Sequence, residues 1–182
     1  LKSVANYLLV GIGKTTLVRK ISAKMRSQCK LQGFCTVEVL ENDLRIGFDV
    51  VTMAGKRGVL AREKATGVNG NLPKVGKYSV YVENFEKLAL PVLTTPARSQ
   101  QLMIIDEVGK MELLSKRFEE AVRMLLMYEQ PILVTIPLQT NKSLPLVEFL
   151  KSYPHAKLYK VTYANRDSLV HKISEEIMKS MP

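Results

Sequence analysis

The sequence is poor in the residues that build metal centres and disulfide frameworks. It contains two cysteines, two histidines and no tryptophan among its 182 residues. Cys29 and Cys35 do not have the spacing of metal ligands, and His155 and His171 form no cluster with them in the sequence, which argues against a zinc-type site. We therefore interpret all four as structural or surface residues. Because cysteine this sparse is typical of a reducing compartment, we expect a cytoplasmic protein.

Long apolar runs are also missing. A helix needs about 20 predominantly apolar residues to cross a bilayer, and no stretch of the sequence approaches that length, so we expect no membrane segment. The composition is 46% hydrophobic and 24% charged over 182 residues. These proportions are typical of one globular domain with a substantial core, and we assign residues 1–182 to it.

Acidic residues are absent from residues 1–37, where every charged side chain belongs to lysine or arginine. This stretch contributes to a net charge of +10, which fits a nucleic acid, an acidic membrane surface or a small polyanionic ligand, and it also resembles an organelle-targeting presequence. The basic residues interleave with Leu17, Val18, Ile21 and Met25 at helical spacing, which favours the solvated face of a packed helix. Since no RNA-binding or zinc-finger signature accompanies them, a nucleic-acid partner is not supported.

The order of the elements predicts an α/β fold. Apolar strand patterns alternate with helical patterns, which indicates a mostly parallel sheet with helices on both faces. Residues 34–39 and 44–52 flank a turn at Asn42 and Asp43, so we expect a β-hairpin insertion. We predict further strands at 78–82, 102–105, 131–136 and 157–162, helices at 15–28, 83–93, 115–129, 144–150 and 166–181, and loops at 54–58 and 64–77. Pro91 should interrupt its helix.

A phosphate-binding motif lies near the N-terminus, at Gly11-Ile12-Gly13-Lys14-Thr15-Thr16. In such a loop the glycines let backbone N–H groups approach the phosphates, the lysine reaches the β and γ oxygens, and the threonine hydroxyl ligates Mg²⁺. The full pattern GxxxxGK[ST] also requires a glycine where this chain has Leu8, which should strain or reshape the loop. In the alternative, residues 7–10 form the first strand, and the shorter loop Gly11 to Lys14 cradles phosphate imperfectly.

The chain begins at Leu1 rather than methionine, and residues 4–10 match a strand followed by a loop poorly. We therefore expect a truncated or alternatively spliced N-terminus.

The second motif is the segment at 102–113, where four apolar residues lead into Asp106 and Glu107. Nucleotide hydrolases present magnesium and water with an acidic pair of this kind at a strand end. Asp106, with Thr15, is our candidate for holding Mg²⁺. The occurrence of both motifs in this order predicts a nucleotide-binding protein.

Several blocks together resemble the small P-loop nucleoside-triphosphatase family, to which the cancer-related nucleoside-triphosphatase of animals belongs. The resemblance extends from Gly11 to the C-terminus and rests on residues 13–17, 33–39, 45–52, 55–62, 85–93 and 104–114. It implies a P-loop NTPase fold and hydrolysis of several nucleoside triphosphates, such as ATP, GTP, CTP and UTP, to the diphosphate and phosphate with Mg²⁺. It also implies a phosphate loop that would be complete where this chain has Leu8, Leu9 and Val10, and this departure places turnover in question more than fold.

We assign roles from the management of charge at the γ-phosphate. Lys14 neutralises the developing charge, and the backbone N–H groups of Gly11, Ile12, Gly13, Lys14, Thr15 and Thr16 bind the β-phosphate together with the following helix N-terminus. Glu107 orients or deprotonates the attacking water, unless its carboxylate only caps the strand end.

A cation near the leaving oxygen would complete the site. Lys56, Arg57 and Arg62 flank glycine-bearing turns, and Arg57 is our first choice, with an ordinary surface arginine as the alternative. Asn165 and Arg166 follow the last strand and could approach the base or ribose, although Asn165 serving as a helix N-cap is an equal alternative. Lys110 and Glu112 receive no role.

Three alternatives remain beside a monomeric nucleoside-triphosphatase. A nucleotide or nucleoside kinase would need an acceptor site, a nucleotide-binding protein with impaired or no hydrolysis would follow from Leu8, and a nucleic-acid-binding protein would follow from the net charge alone.

Overall fold

The computed structural model describes residues 5–65, 71–95, 100–138 and 143–181, in which strands and helices alternate along much of the chain. The strands are β1 (Asn6–Gly11), β2 (Lys30–Glu41), β3 (Leu44–Thr52), β4 (Arg57–Arg62), β5 (Lys74–Val75), β6 (Tyr78–Val80), β7 (Gln101–Asp106), β8 (Ile132–Thr135) and β9 (Ala156–Val161). The helices are α1 (Lys14–Met25), α2 (Val82–Thr94), α3 (Lys116–Leu125), α4 (Pro145–Ser152) and α5 (Arg166–Ser180).

All these strands join one sheet in the order β5-β6-β4-β3-β2-β7-β8-β1-β9. The five strands from β2 to β9 in this order pair in parallel, while β2, β3, β4, β6 and β5 pair antiparallel. The predicted α/β fold is therefore confirmed, with a mixed sheet whose antiparallel half is larger than the hairpin alone. The site predicted at the ends of β1 and β7 falls in the parallel half.

Helices cover both faces of the sheet and bury a separate apolar cluster on each. On one face, α1 and α5 pack through residues such as Leu17, Ile21 and Ile173, all fully buried. On the other face, α2 and α3 bring Phe85 and Phe118 against Phe34 of β2, with ring centroids 5.1–5.9 Å apart in edge-on contacts. The helical spacing of the apolar residues predicted these buried faces because one side of each helix must leave water.

The predicted hairpin is confirmed. β2 and β3 pair from Phe34 opposite Thr52 to Glu41 opposite Leu44, and Asn42 and Asp43 turn the chain with φ of 49° and 60°. Asparagine and aspartate tolerate this left-handed conformation better than most residues. The hairpin does not stand apart from the sheet, because β2 also pairs in parallel with β7.

Two expectations about local structure were wrong. Leu8 does not strain the phosphate loop, because it lies inside β1 and is fully buried with Leu9, as the alternative interpretation held. Pro91 does not end α2, which continues to Thr94. The buried contacts of Phe85, Ala89 and Leu93 keep this helix in place despite the missing N–H of the proline, since tertiary packing contributes most of the stability of a protein helix.

Other boundaries also differ from the prediction. The sequence analysis assigned residues 54–58 to a loop and missed β4, and it extended α3 to residue 129, four residues beyond its end at Leu125. The predicted loop at 64–77 contains β5, and its residues 66–70 lie outside the described part of the chain, as do residues 1–4 of the N-terminal segment. In the residues that the structure describes, no helix has the length and apolar character needed to cross a membrane.

Candidate active site

The phosphate motif forms a very short connection between β1 and α1. Only Ile12 and Gly13 separate the last residue of the strand from Lys14, the first residue of the helix. Gly13 is the N-cap residue with φ of 84°, a conformation that favours glycine. Because the next residues begin α1, their N–H groups point out of the helix start, where an anion is stabilised by the helix dipole.

The first two residues of the motif serve the sheet rather than the predicted phosphate site. A Cβ atom on Gly11 would lie 2.2 Å from the Val161 carbonyl oxygen, so glycine permits the close approach of β1 and β9. The N–H group of Ile12 donates to the same oxygen at 3.1 Å. Ile12 was predicted to offer its N–H to the β-phosphate, and the structure contradicts this because that donor is already satisfied.

Lys14 reaches the position predicted for it, between the loop and the end of β7. Its Nζ donates to the Gly11 carbonyl oxygen at 3.3 Å and lies 3.5 Å from Glu107 Oε2. The Lys14 and Glu107 side chains are 16% and 32% exposed, so both remain accessible from the cleft. A phosphate oxygen that binds the ammonium group would compete with the Glu107 carboxylate for it.

Asp106 occupies the end of β7 and is fully buried. Its Oδ1 accepts hydrogen bonds from Thr135 Oγ1 at 2.6 Å and from Thr15 Oγ1 at 3.3 Å. Burial raises the pKa of the Asp106 carboxyl to about 6, although both hydroxyl donors oppose the shift. The contact with Thr15 joins the two motifs recognised in the sequence.

A divalent cation fits this arrangement of donors. Asp106 Oδ2 is buried and has no hydrogen-bond partner among the described residues, and a buried carboxylate oxygen normally has one. The described part of the chain contains no group of three His, Cys, Asp or Glu side chains that could hold a metal. Magnesium in phosphate-transfer sites is held by one or two protein ligands plus phosphate oxygens and water, so a larger cluster is not needed.

Glu107 and Glu112 converge over Gly109. A Cβ atom built on Gly109 would lie 2.8 Å from Glu107 Oε1 and 3.0 Å from Glu112 Oε2. Glu112 is buried in the short 3₁₀ helix Glu112–Leu114. Burial and, second, the neighbouring Glu107 raise the pKa of Glu112 to about 8, against hydrogen bonds from the backbone of Glu112 and Gly109. At neutral pH the pair therefore carries one ionised carboxylate, which we assign to the more exposed Glu107.

A cleft of about 690 Å³ opens beside these groups. Its walls come from α1, from the segment after β7 and from the antiparallel half of the sheet. The lining residues are Thr15, Arg19, Thr36, Val37, Glu38, Phe48, Leu60, Val75, Glu107, Lys110, Met111, Glu112 and Pro137. The volume falls within the range of small-molecule sites, and the acidic pair lies where the cleft meets the phosphate loop.

Arg57 is not brought into this cleft. Its Nε donates to Asp49 Oδ2 at 2.6 Å, and Arg62 Nη2 donates to the other oxygen of the same carboxylate at 2.6 Å. Among the described residues that line the cleft, the cationic side chains are Arg19 and Lys110. The structure thus contradicts the prediction that Arg57 lies near the leaving oxygen, because Asp49 holds it at the antiparallel half of the sheet.

The predicted pair after β9 divides its tasks. The Asn165 side chain is occupied within its own turn, where Oδ1 accepts from the Thr162 N–H at 2.8 Å and Nδ2 donates to the Lys160 carbonyl oxygen at 2.9 Å. Asn165 takes the N-cap position of α5 without a side-chain capping bond. Arg166, in contrast, extends to the phosphate loop and lies against Gly13.

Thr135 is a site residue that sequence reasoning missed. It ends β8, the strand between β7 and β1, and its hydroxyl makes the shortest contact to Asp106. The one available signal was a polar residue in an otherwise apolar strand, and only the sheet order places that residue beside Asp106.

Comparison with known proteins agrees with this geometry. A family model described as NTPase matches residues 9–174. The chain is 41% identical over 177 residues to the cancer-related nucleoside-triphosphatase homolog of Bos taurus, with 93% of each chain covered. It is 38% identical to the nucleoside-triphosphatase THEP1 of Thermotoga petrophila over 169 residues, which is 90% of this chain and 86% of the relative.

A solved structure shows the same similarity in three dimensions. The solution structure of a human cancer-related nucleoside triphosphatase superposes with a TM-score of 0.83 at 40% identity, covering 97% of this chain and 98% of the human one. The matched region includes the phosphate loop, the Asp106-Glu107 pair and Arg166. On this evidence, the chain belongs to the NTPase family that contains these nucleoside-triphosphatases.

Proposed function

We propose that this chain hydrolyses nucleoside triphosphates, including ATP, GTP, CTP and UTP, to the diphosphate and phosphate with Mg²⁺. The observation that carries the proposal is the meeting of Lys14, Thr15, Asp106 and Glu107 at the N-terminus of α1. This set supplies a cation for the γ-phosphate, two oxygen ligands for a divalent ion and a carboxylate for water. Family membership supports the same reaction.

The protein side chains act mainly by position and charge. Lys14 leaves the Glu107 carboxylate for the phosphate oxygens and neutralises charge that develops there. Glu107, freed from this ion pair, accepts a hydrogen bond from the attacking water and orients it toward phosphorus. The free N–H groups at the start of α1 hold the β-phosphate in line.

Thr15 Oγ1 and Asp106 would hold Mg²⁺, and Thr135 keeps the Asp106 carboxylate oriented through its 2.6 Å hydrogen bond. The bound ion supplies positive charge between the β- and γ-phosphate oxygens. Ionised Asp106 is required for this role, so its raised pKa, about 6, predicts weaker binding of Mg²⁺ as the pH falls below that value.

The proposal is tested by Mg²⁺-dependent phosphate release from ATP and GTP, comparing the wild type with Lys14→Ala. We expect Lys14→Ala to lower kcat by at least about 100-fold, because it removes a preorganised charge at the transferred phosphoryl group. Lys24→Ala is the matched control, since Lys24 lies in the last turn of the same helix and should leave turnover unchanged.

Nucleotide binding measured alongside separates the outcomes. Tight binding without phosphate release in the wild type would identify a nucleotide-binding protein that does not hydrolyse, which the shortened loop makes a real alternative. Release that persists in Lys14→Ala would contradict the assigned site.

A second candidate, phosphoryl transfer to an acceptor, is favoured by one observation. Beyond Glu107 the cleft is lined by Phe48, Leu60, Val75 and Met111, an apolar wall that water alone does not require. Transfer of labelled γ-phosphate from ATP to an added nucleoside or nucleoside monophosphate would establish this activity, and phosphate released only to water would exclude it for those acceptors.

Two further expectations accompany the proposal. We expect a monomer, which size-exclusion chromatography with light scattering measures directly. We also expect the protein in a reducing compartment such as the cytoplasm, because Cys29 and Cys35 are both free thiols.

A further inference from the structure

Arg166 lies on the phosphate loop although it is 153 residues away from Gly13 in the sequence. A Cβ atom on Gly13 would lie 3.2 Å from Arg166 Cδ and 3.3 Å from Arg166 Nη1. The guanidinium group therefore packs beside the N-cap of α1, the point at which a helix start binds phosphate. Its side chain is 23% exposed, so one side of it remains open to a ligand.

The charge of Arg166 is poorly matched by its surroundings. Arg166 Nε is buried and has no hydrogen-bond partner among the described residues. Its contact with Asp167 is long, at 3.9 Å, and the Asp167 carboxylate is taken by Lys20. The ring of Tyr163 lies 5.9 Å from Arg166 Cζ, which steadies the guanidinium group without supplying negative charge.

The shortened loop leaves room for an added cation. Two residues, Ile12 and Gly13, stand between β1 and α1, and the Ile12 N–H is already bound to Val161. The general motif places four residues between its two glycines, and their N–H groups surround the phosphates. With fewer backbone donors, the loop gains more from a guanidinium group, which presents several N–H donors in one plane.

The sheet order decides which phosphate Arg166 meets. β1 lies between β8 and β9, so Asp106 and Glu107, beyond β8, are on one side of the loop, and Arg166, directly after β9, is on the other. The γ-phosphate must lie on the side of Glu107, where water attacks. The phosphate chain therefore runs from there across the start of α1 toward β9.

We infer that Arg166 binds the α-phosphate of the nucleoside triphosphate, on the side of the phosphate loop opposite Glu107. This inference rests on the proposed function for the identity of the ligand, but it concerns binding and not turnover. Arg166 is accordingly a nucleotide-binding residue, and the same contact is made with a nucleoside diphosphate.

The test is the Kd of the Mg²⁺ complexes of ADP, GDP, CDP and UDP, measured by isothermal titration calorimetry with the wild type and Arg166→Met. We expect the Kd to rise about 10- to 100-fold, the range for a lost hydrogen bond to a charged group, and by the same factor for all four diphosphates. Arg166→Lys keeps the charge and should recover part of the affinity. Arg26→Met is the matched control at an exposed position at the end of α1.

Several results would overturn the inference. An unchanged or lower Kd in Arg166→Met would show that the guanidinium group only packs on the loop or obstructs it. A loss confined to ADP and GDP would indicate stacking on the larger bases, and a loss for ATP without one for ADP would indicate contact with the γ-phosphate. If Arg166→Met does not fold, as judged by circular dichroism, the Arg166→Lys titration decides, because a lysine that binds as well as arginine excludes a guanidinium-specific contact.

The proposed function fails separately. Wild-type protein that binds the diphosphates but releases no phosphate from ATP would sink hydrolysis and leave the Arg166 contact standing. Wild-type protein that binds no diphosphate would overturn both.

Discussion

The parallel and antiparallel halves of the sheet use their polar residues in opposite ways. β1 and β7 are buried along almost their whole length, and the polar groups of the parallel half gather where its strands end, at Lys14, Asp106 and Thr135. β3 and β4 mix buried and more exposed residues, and their charges pair within the sheet, as Arg57 and Arg62 do with Asp49. The parallel half thus leaves polar groups unsatisfied for a ligand, whereas the antiparallel half satisfies its own.

This difference teaches where chemistry and where stability reside. Asp106 Oδ2 and Arg166 Nε, both in the parallel half or directly after it, are buried without hydrogen-bond partners among the described residues. Buried polar atoms of this kind cost stability, and they persist where function requires them. Changes in the parallel half should therefore alter binding and turnover, and changes in the antiparallel half should alter the free energy of unfolding.

The largest expected effect, which would break the comparison if absent, is that of Glu107→Gln. The amide cannot accept a proton and orients water poorly, so kcat should fall about 10²- to 10⁴-fold. The Kd for a nucleoside diphosphate should not rise, because Lys14 loses a competitor and not a ligand. Steady-state phosphate release and calorimetry measure the two quantities.

Glu120→Gln, at an exposed position of α3, is the control for removing one carboxylate from the surface. Equal turnover in the Glu107→Gln and wild-type proteins would reduce Glu107 to the strand-end carboxylate of the alternative interpretation.

The sequence predicted those parts of the site that are close together along the chain. Lys14 and Thr15 follow a glycine at the start of a helix, and Asp106 and Glu107 end an apolar strand, so local patterns were sufficient. The partners of these residues depend on the sheet order instead. Thr135 reaches Asp106 because β8 lies beside β7, and Arg166 reaches Gly13 because β9 lies beside β1.

The errors in the fold have the same origin. β4 was missed because its buried stretch is short, with Leu60 and Ala61 buried between residues that are partly exposed or exposed. Its position is fixed by pairing with β3 and β6, which no local pattern reports. The continuation of α2 through Pro91 likewise depends on packing against the sheet.

Glu112 offers a test of intermediate size, since it places an unsatisfied charge of the parallel half under pH control. Its pKa is about 8 in the folded chain and about 4.3 when unfolded. Between these values the folded chain holds a proton that the unfolded chain has lost, so the free energy of unfolding falls as the pH rises. From pH 6.5 to 8.5, above the pKa of Asp106, we expect a loss of about 2 kcal/mol in the wild type.

Glu112→Gln should remove most of this slope, because the amide does not titrate. Urea denaturation without Mg²⁺ or nucleotide at the two pH values measures it. A slope that stays the same in Glu112→Gln would mean that another group carries the proton.

The smallest expected effect on turnover concerns the antiparallel half, where Arg57 was first assigned to catalysis. Its side chain is 54% exposed and Asp49 is 9% exposed, so the guanidinium group is mostly solvated and its ion pair contributes about 0–1 kcal/mol. Arg57→Ala should therefore leave kcat unchanged and lower the free energy of unfolding only slightly. Asp49→Asn should cost more, about 1–3 kcal/mol, because a buried acceptor of two charged hydrogen bonds is lost, and it too should spare kcat per folded molecule. Phosphate release and urea denaturation of both variants decide the matter: a tenfold fall in kcat for Arg57→Ala with stability intact would require the ion pair to open during the reaction and would return Arg57 to the site.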